Sequence, residues 1–299
     1  FIGLLFKVGA VPFHFWSPDA YTGAPAVVTG FMGAVIKVGG FAALGGLWLN
    51  LVAVVSGVAP AEPLSLAAGV PVTAQAMHEL NRFGLVFLAL AVASILVGHF
   101  SALRQTSVRR MIAFSSIANA GYLLLAFALP NSAQMFQLSG LWFYLVGYAI
   151  ATSGALSAIA AISGRDDLGD DLNGLSGQGR AHPFFGLIAT ICIVSIAGIP
   201  PTVGFLGKYL VFAELVGKGK AWFAIFGLLM AVVGAAYYLR LIITLWSGSR
   251  SEERRVTVSP LSGMMLGGAA IAIVALLALA NAVVTHKSEP SESTAARLP

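Results

Sequence analysis

Three lysines stand inside stretches that are otherwise almost wholly apolar: Lys7, Lys37 and Lys208. Lys37 lies about 11 residues into one such stretch and about 17 from its far end, which on a helix is ~16 and ~25 Å. A lysine side chain reaches only about 6 Å, so its ammonium cannot snorkel to either end. At that depth an ionised lysine costs ~2.5–3.5 kcal/mol on insertion scales. It must face a polar interior, pair with an acceptor, or give up its proton. A group whose charge is switched by its neighbours is what proton carriage requires. A lysine that merely binds a carbonyl to hold two helices together meets the same constraint.

Lys208 comes four residues after Gly204, at the end of the stretch Gly198-Ile199-Pro200-Pro201-Thr202-Val203-Gly204. Pro200 and Pro201 remove two backbone donors and push the residue before them out of helical geometry. Irregular backbone inside a membrane is tolerated where it is buried in protein or lines a polar cavity, and its free carbonyls suit an ammonium. A simple proline kink is the plainer reading of the same residues. Lys7 precedes Pro12 by five residues, again beside a predicted break, but its nearness to the chain start leaves its depth open.

Weaker candidates surround these three. His14 follows Pro12 and is of the one residue type that ordinarily titrates near neutral pH. His99 and Arg240 lie about one turn from the ends of their apolar runs and are predicted to snorkel. Glu214, near the end of another run, reads as interfacial. Ser115, Ser116 and Asn119 form a polar stripe of the kind that glues helices together. No acidic residue falls at the centre of any run, so a counter-charge for the lysines must come from elsewhere or from water.

The elements that hold these residues follow from composition. Of 299 residues, 58% are hydrophobic and 10% charged. Soluble domains carry about 25% charged residues, so lipid must be the solvent for most of this surface. An all-α polytopic bundle with discontinuous helices is predicted. A span needs about 20 apolar residues, and that rule gives eight segments: about 1–15, 26–54, 83–104, 107–129, 136–163, 184–217, 221–246 and 261–285. The stretch 286–299 reads as a disordered tail. The opening at Phe1, inside an apolar run, suggests that an N-terminal part is missing.

The net charge of +5 comes from basic residues concentrated in the connections, which sets topology and argues against nucleic acid. Arg104, Arg109, Arg110, Arg165, Arg180, Arg250, Arg254 and Arg255 fall on one side. Arg82, Lys218, Lys220, Lys287 and Arg297 fall on the other. The bias places the first side in the cytoplasm and the C-terminus outside. One cysteine, Cys192, cannot by itself hold an iron–sulfur cluster, a disulfide or a Cys-based zinc site. No glycine-rich nucleotide-binding pattern is present.

Three ordered blocks carry a family resemblance. The first runs from Phe6-Lys7-Val8-Gly9 through Trp16-Ser17-Pro18-Asp19-Ala20-Tyr21-Thr22-Gly23-Ala24-Pro25 and on to Lys37. The second is Ala102-Leu103-Arg104-Gln105-Thr106-Ser107-Val108-Arg109-Arg110-Met111 with Ser115-Ser116-Ile117-Ala118-Asn119-Ala120-Gly121-Tyr122. The third is Gly198 to Lys208. Together they resemble the antiporter-like subunit N family of proton-pumping NADH–quinone oxidoreductase, respiratory complex I. The resemblance implies a fourteen-span fold of two inverted five-span repeats, each with a broken helix. On that plan residues 1–56 end the first repeat, 83–246 form the second, and 261–285 are the last span. It further implies proton-relay roles for Lys7, Lys37 and Lys208, and for Lys7 a partner glutamate on a span not present here. His14, Pro200 and Pro201 become secondary candidates for the proton path.

The same resemblance implies that this chain binds no cofactor, with NADH, FMN, iron–sulfur clusters and quinone held by other subunits. Its partners would be the other membrane-arm subunits, especially neighbouring antiporter-like ones, and lipid. Its location would be the bacterial inner membrane. Cation/proton antiporter subunits of multi-subunit sodium–proton exchangers, and membrane-bound hydrogenase subunits, share the fold. They are disfavoured because those relatives carry a histidine about one turn before the Lys37 position, where this chain has Gly33.

Overall fold

The computed structural model describes residues 1–55, 74–128, 139–163, 171–248 and 266–269. Helix α1 (Ile2–Val8) is short. It ends at Gly9, whose left-handed backbone (φ 73°) turns the chain toward Pro12 and on to α2 (Trp16–Gly23). The first apolar segment is therefore interrupted within a turn of Lys7. A single helical path then runs through α3 (Ala26–Phe31), a π-helical turn at Met32–Ile36, and α4 (Lys37–Val55). Helix α5 (Ala74–Leu103) starts well before the predicted 83. It is followed by α6 (Val108–Leu124) with a 3-10 turn at Leu125–Phe127, and by α7 (Ser139–Ser163).

The connection predicted as a loop holds two short helices, α8 (Leu172–Leu175) and α9 (Gln178–Ala181). Four residues are too few for an apolar period to show. They fold over the end of the bundle: Leu172 N–H donates to the Thr106 carbonyl at 3.0 Å and Gly177 N–H to that of Thr244 at 3.2 Å. The predicted broken span is present as α10 (Pro183–Ala197) and α11 (Val203–Gly217), and α12 (Ala221–Trp246) has the predicted bounds.

Among the described residues, five helical paths are long and apolar enough to cross a membrane, and the bent group α8, α9 and α10 makes a sixth if it counts as one span. Helices α10 and α11 have 15 residues each, about 22 Å, so neither spans comfortably alone. The predicted last span, 261–285, lies outside the described residues apart from the helical 266–269, and the 286–299 tail lies wholly outside.

Helix α6 is the hub. In its apolar window 83% of residues are buried, against 28% for α12. Its polar stripe explains the placement, because Ser115, Ser116 and Asn119 would be costly against lipid and find partners only inside. Ser107 caps its first turn by accepting from Arg110 N–H. Helix α12 shows the converse pattern. Ala224, Gly227, Gly234, Tyr237, Tyr238, Leu241 and Leu245 face inward at helical spacing, while Leu228, Leu229, Val232 and Ile243 face out. That polarity, small and tyrosine inside with aliphatic outside, is what a lipid solvent selects. An aromatic cluster of Phe41, Trp48, Phe87 and Phe127 joins α4, α5 and the end of α6.

Candidate intramembrane proton path

Lys37 is 4% exposed and Lys208 5% exposed, so neither ammonium reaches bulk solvent within this chain. Lys37 opens α4 directly after the π-helical turn. Such a turn inserts one residue into the helix and re-aims the side chains that follow. Gly33, inside that turn, lies against Tyr21 and Thr152. The Lys37 ammonium donates to the Ser116 carbonyl of α6 and sits 5.7 Å from the centre of the Tyr148 ring on α7. An ammonium carries three N–H donors, so one carbonyl and one ring face leave donor capacity over. Tyr148 and Thr152, both buried, lie on the same helix α7 one turn apart.

Lys208 is built by the break. Helix α10 ends at Ala197, Gly198 takes a left-handed conformation (φ 80°), and Thr202 caps α11 by accepting from Phe205 N–H at 3.4 Å. Helix α11 therefore starts beside the end of α10, and Gly204 N–H donates to Ser195 Oγ at 3.3 Å. From the second turn of α11, Lys208 reaches back and donates to the carbonyls of Ile196 (3.2 Å) and Ala197 (3.0 Å). Those are among the last carbonyls of α10, which have no helical partner and lie at the negative end of its dipole. A cation there is stabilised by ~0.3–1 kcal/mol, up to ~2 when partly buried. The ammonium also lies 5.1 Å from the centre of the Tyr122 ring. Pro200 and Pro201 are themselves exposed. Their part is to end the helix so that the carbonyls come free, rather than to touch a proton.

A line, or seam, of buried polar groups lies between the two lysines. The Tyr21 and Ser116 hydroxyls lie 3.4 Å apart. One turn along α6, Asn119 donates to the Ser115 carbonyl (2.8 Å) and accepts from the Tyr144 hydroxyl (2.6 Å). Its amide also reaches the Tyr238 hydroxyl at 3.5 Å. The Tyr238 ring packs on Tyr237 at 4.4 Å. The Tyr237 hydroxyl lies 3.2 Å from His99 Nδ1, and His99 Nε2 lies 2.9 Å from the Tyr122 hydroxyl, beneath Lys208.

One predicted assignment changes. His99 does not snorkel: it is 1% exposed and held by two tyrosines. Its distance from the helix end gives height but not face, and the face points inward. The α6 stripe bonds across helices as predicted, Asn119 to Tyr144 of α7 and Tyr238 of α12, and Ser116 through its carbonyl to Lys37 of α4. Arg240 is exposed as predicted and donates to the carbonyls of Leu103 and Gln105, closing the end of α5. Glu214 pairs with Lys218 at 2.6 Å near the end of α11. Lys7 is exposed, its stem near Gly40, one turn beyond Lys37 on α4. His14 is half-buried in the turn after α1 with its ring against Phe15, and no contact joins it to either buried lysine among the described residues. The five tyrosines of the seam carried no signal in sequence, because tyrosine is equally at home in an apolar core or at an interface.

Apolar helices wrapped round a polar seam, with a broken span whose open end holds a buried amine, define a multi-pass membrane protein of antiporter-like architecture. The chain matches the family described as "NADH:quinone oxidoreductase/Mrp antiporter, TM" over residues 1–60 and 63–234, and it belongs to that family. It is 35% identical over 265 residues to "NADH-quinone oxidoreductase subunit N 1" of Koribacter versatilis, covering 88% of this chain and 47% of that one. It is 37% identical over 251 residues to "NADH-quinone oxidoreductase subunit N" of Trichlorobacter lovleyi, covering 84% and 46%. The chain thus spans about half the length of the curated relatives it matches. Its fold superposes on a chain of respiratory complex I from Thermus thermophilus with a TM-score of 0.71 at 30% identity, covering 95% of this chain and 56% of that one. It also superposes on a chain of the Mrp complex from Dietzia (TM-score 0.71, 21% identity, 93% and 54% covered), a likeness of fold alone.

Proposed function

We propose that this chain is part of the subunit N type of membrane subunit and translocates protons in a bacterial NADH–quinone oxidoreductase. The supporting observation is the seam itself: two deeply buried amines, on two helices, with hydroxyls, an amide and an imidazole lined up between them. The subunit N names of the relatives point the same way. Residues 1–56 are the end of one antiporter-like repeat and 83–246 the next. Lys7 and Lys37 in the first of these and Lys208 in the second relay the proton. The electron-carrying groups, FMN, the iron–sulfur clusters and quinone, belong to other subunits, and this chain holds no cofactor. Its partners are the neighbouring antiporter-like subunits of the membrane arm. It sits in the bacterial inner membrane with its C-terminus outside.

The energetics fit. Moving one charge against 100 mV costs ~2.3 kcal/mol. A hydrogen bond to a charged group is worth ~1.5–3 kcal/mol. Making or breaking one such bond at Lys37 or Lys208 is therefore on the scale of the work required.

The test uses the complete complex in native membrane vesicles. Lys37→Ala and Lys208→Ala should each lower NADH-driven proton uptake and coupled quinone reduction while the complex still assembles. Unchanged turnover and proton-to-electron ratio in both variants would overturn the proposal. So would sodium-driven proton exchange in the same vesicles without NADH, which would mark an antiporter subunit instead.

A further inference from the structure

We infer that His99 is a proton-carrying residue, the link through which a proton passes between the Asn119 side of the seam and Lys208. The inference rests on the proposed proton function and adds a residue to it.

Both imidazole nitrogens of His99 face a tyrosine hydroxyl: Nε2 faces Tyr122 at 2.9 Å and Nδ1 faces Tyr237 at 3.2 Å. The Tyr122 hydroxyl donates to the Gly227 carbonyl at 3.2 Å. A hydroxyl has one proton to donate, so Tyr122 must accept from Nε2–H. Nδ1 then accepts the Tyr237 proton. The opposite arrangement is equally complete at the ring: Tyr122 donates to Nε2 and Nδ1–H donates to Tyr237. Changing from one to the other moves a proton across the imidazole. Tyr122 gives its proton to Nε2 and must be reprotonated in turn, its nearest ammonium being Lys208, which lies over the ring 5.1 Å from its centre. Nδ1 releases its proton to the Tyr237 oxygen, which passes its own on toward Tyr238. One N–H forms as one breaks, and no charge is left behind.

The surroundings are shaped for this ring. Gly234 of α12 faces the imidazole edge, and a Cβ there would lie 2.6 Å from His99 Cε1. Any larger residue would push the ring off its tyrosines. On the far side of Tyr237, the Tyr238 hydroxyl accepts from the Asn119 amide at 3.5 Å, and the Asn119 oxygen accepts from Tyr144 at 2.6 Å. Of the side chains in this seam between the two lysines, only His99 has two ring nitrogens able to exchange a proton in this way. The serines and tyrosines each have a single hydroxyl oxygen, and Asn119 an amide, so none has two ring nitrogens across which a proton moves.

The test separates carriage from positioning. Glutamine in place of His99 offers an amide N–H and an amide oxygen, so it can hold both tyrosines yet cannot exchange the proton between them. In the assembled complex, His99→Gln should lower the rate of proton uptake and of coupled quinone reduction by at least about tenfold, as loss of a positioned proton-transfer group does. Tyr237→Phe, which removes one oxygen and keeps the ring, should do the same. The double variant should be no slower than either single one, because residues acting as one unit are non-additive. Wild-type rates in His99→Gln would overturn the inference, as would wild-type rates in Tyr237→Phe or strictly multiplied losses in the double variant. Should His99→Gln fail to assemble on a native gel, Tyr237→Phe alone decides. Losses in the lysine variants without loss in His99→Gln remove His99 only, whereas full activity in all of them removes the proton function too.

Discussion

Gly198→Ala is the sharpest test of how the helix break seats Lys208. Gly198 has φ 80°, and an added Cβ would lie 2.9 Å from Lys208 Cδ and 3.2 Å from its Nζ. Two costs follow. Left-handed backbone costs a residue with a Cβ ~1–2 kcal/mol. The methyl also displaces the lysine from one or both carbonyls of Ile196 and Ala197, now 3.2 and 3.0 Å away. Losing one charge-assisted bond costs ~1.5–3 kcal/mol, which is a ten- to hundredfold drop in the share of correctly seated ammonium groups. Proton uptake by native vesicles, followed by a pH-sensitive dye during NADH oxidation, should fall by at least about tenfold while assembly persists. Gly198→Asn separates the two costs, because asparagine tolerates the left-handed region yet brings the same Cβ. Both variants should lose pumping alike. Full pumping in Gly198→Ala would refute the reasoning, and so would a normal Gly198→Asn beside a defective Gly198→Ala, which would leave backbone strain as the whole effect.

Thr202→Ala removes the α11 cap and should cost ~1 kcal/mol, seen as a lower melting temperature of the detergent-solubilised complex and restored by Thr202→Ser. Asn119→Leu strips the Tyr144 hydroxyl of its 2.6 Å acceptor and should destabilise by ~1–3 kcal/mol in the same melt, with pumping reduced as well because the seam is cut. Arg110→Ala breaks the exposed 3.2 Å pair with Asp19 and should change melting and pumping by no more than the scatter of the assays, since such pairs are worth ~0–1 kcal/mol.

The amino-acid sequence by itself determined the membrane class, the course of most spans and the depth of the two buried lysines. Lipid permits few charges and no free backbone, so a lysine at mid-depth or a Pro-Pro pair in an apolar run announces itself without reference to anything distant. The cap residues Ser107 and Thr202 and the break at Gly198 are equally local events, and α12 was legible to the residue from hydropathy alone.

What only the tertiary structure decided was which way things point. Nothing near Met32–Ile36 marks a π-helical turn, because its extra residue is a matter of hydrogen-bond register rather than of residue type. Yet that turn aims Lys37 at α6. The height of His99 near the end of α5 suggested an interfacial side chain, while the packing of α12, with Gly234 making room, turned it inward between two tyrosines. Linear order gives the depth of a group along its own helix. The partners that settle its charge and its role lie on other helices, brought within bonding distance only when the bundle closes.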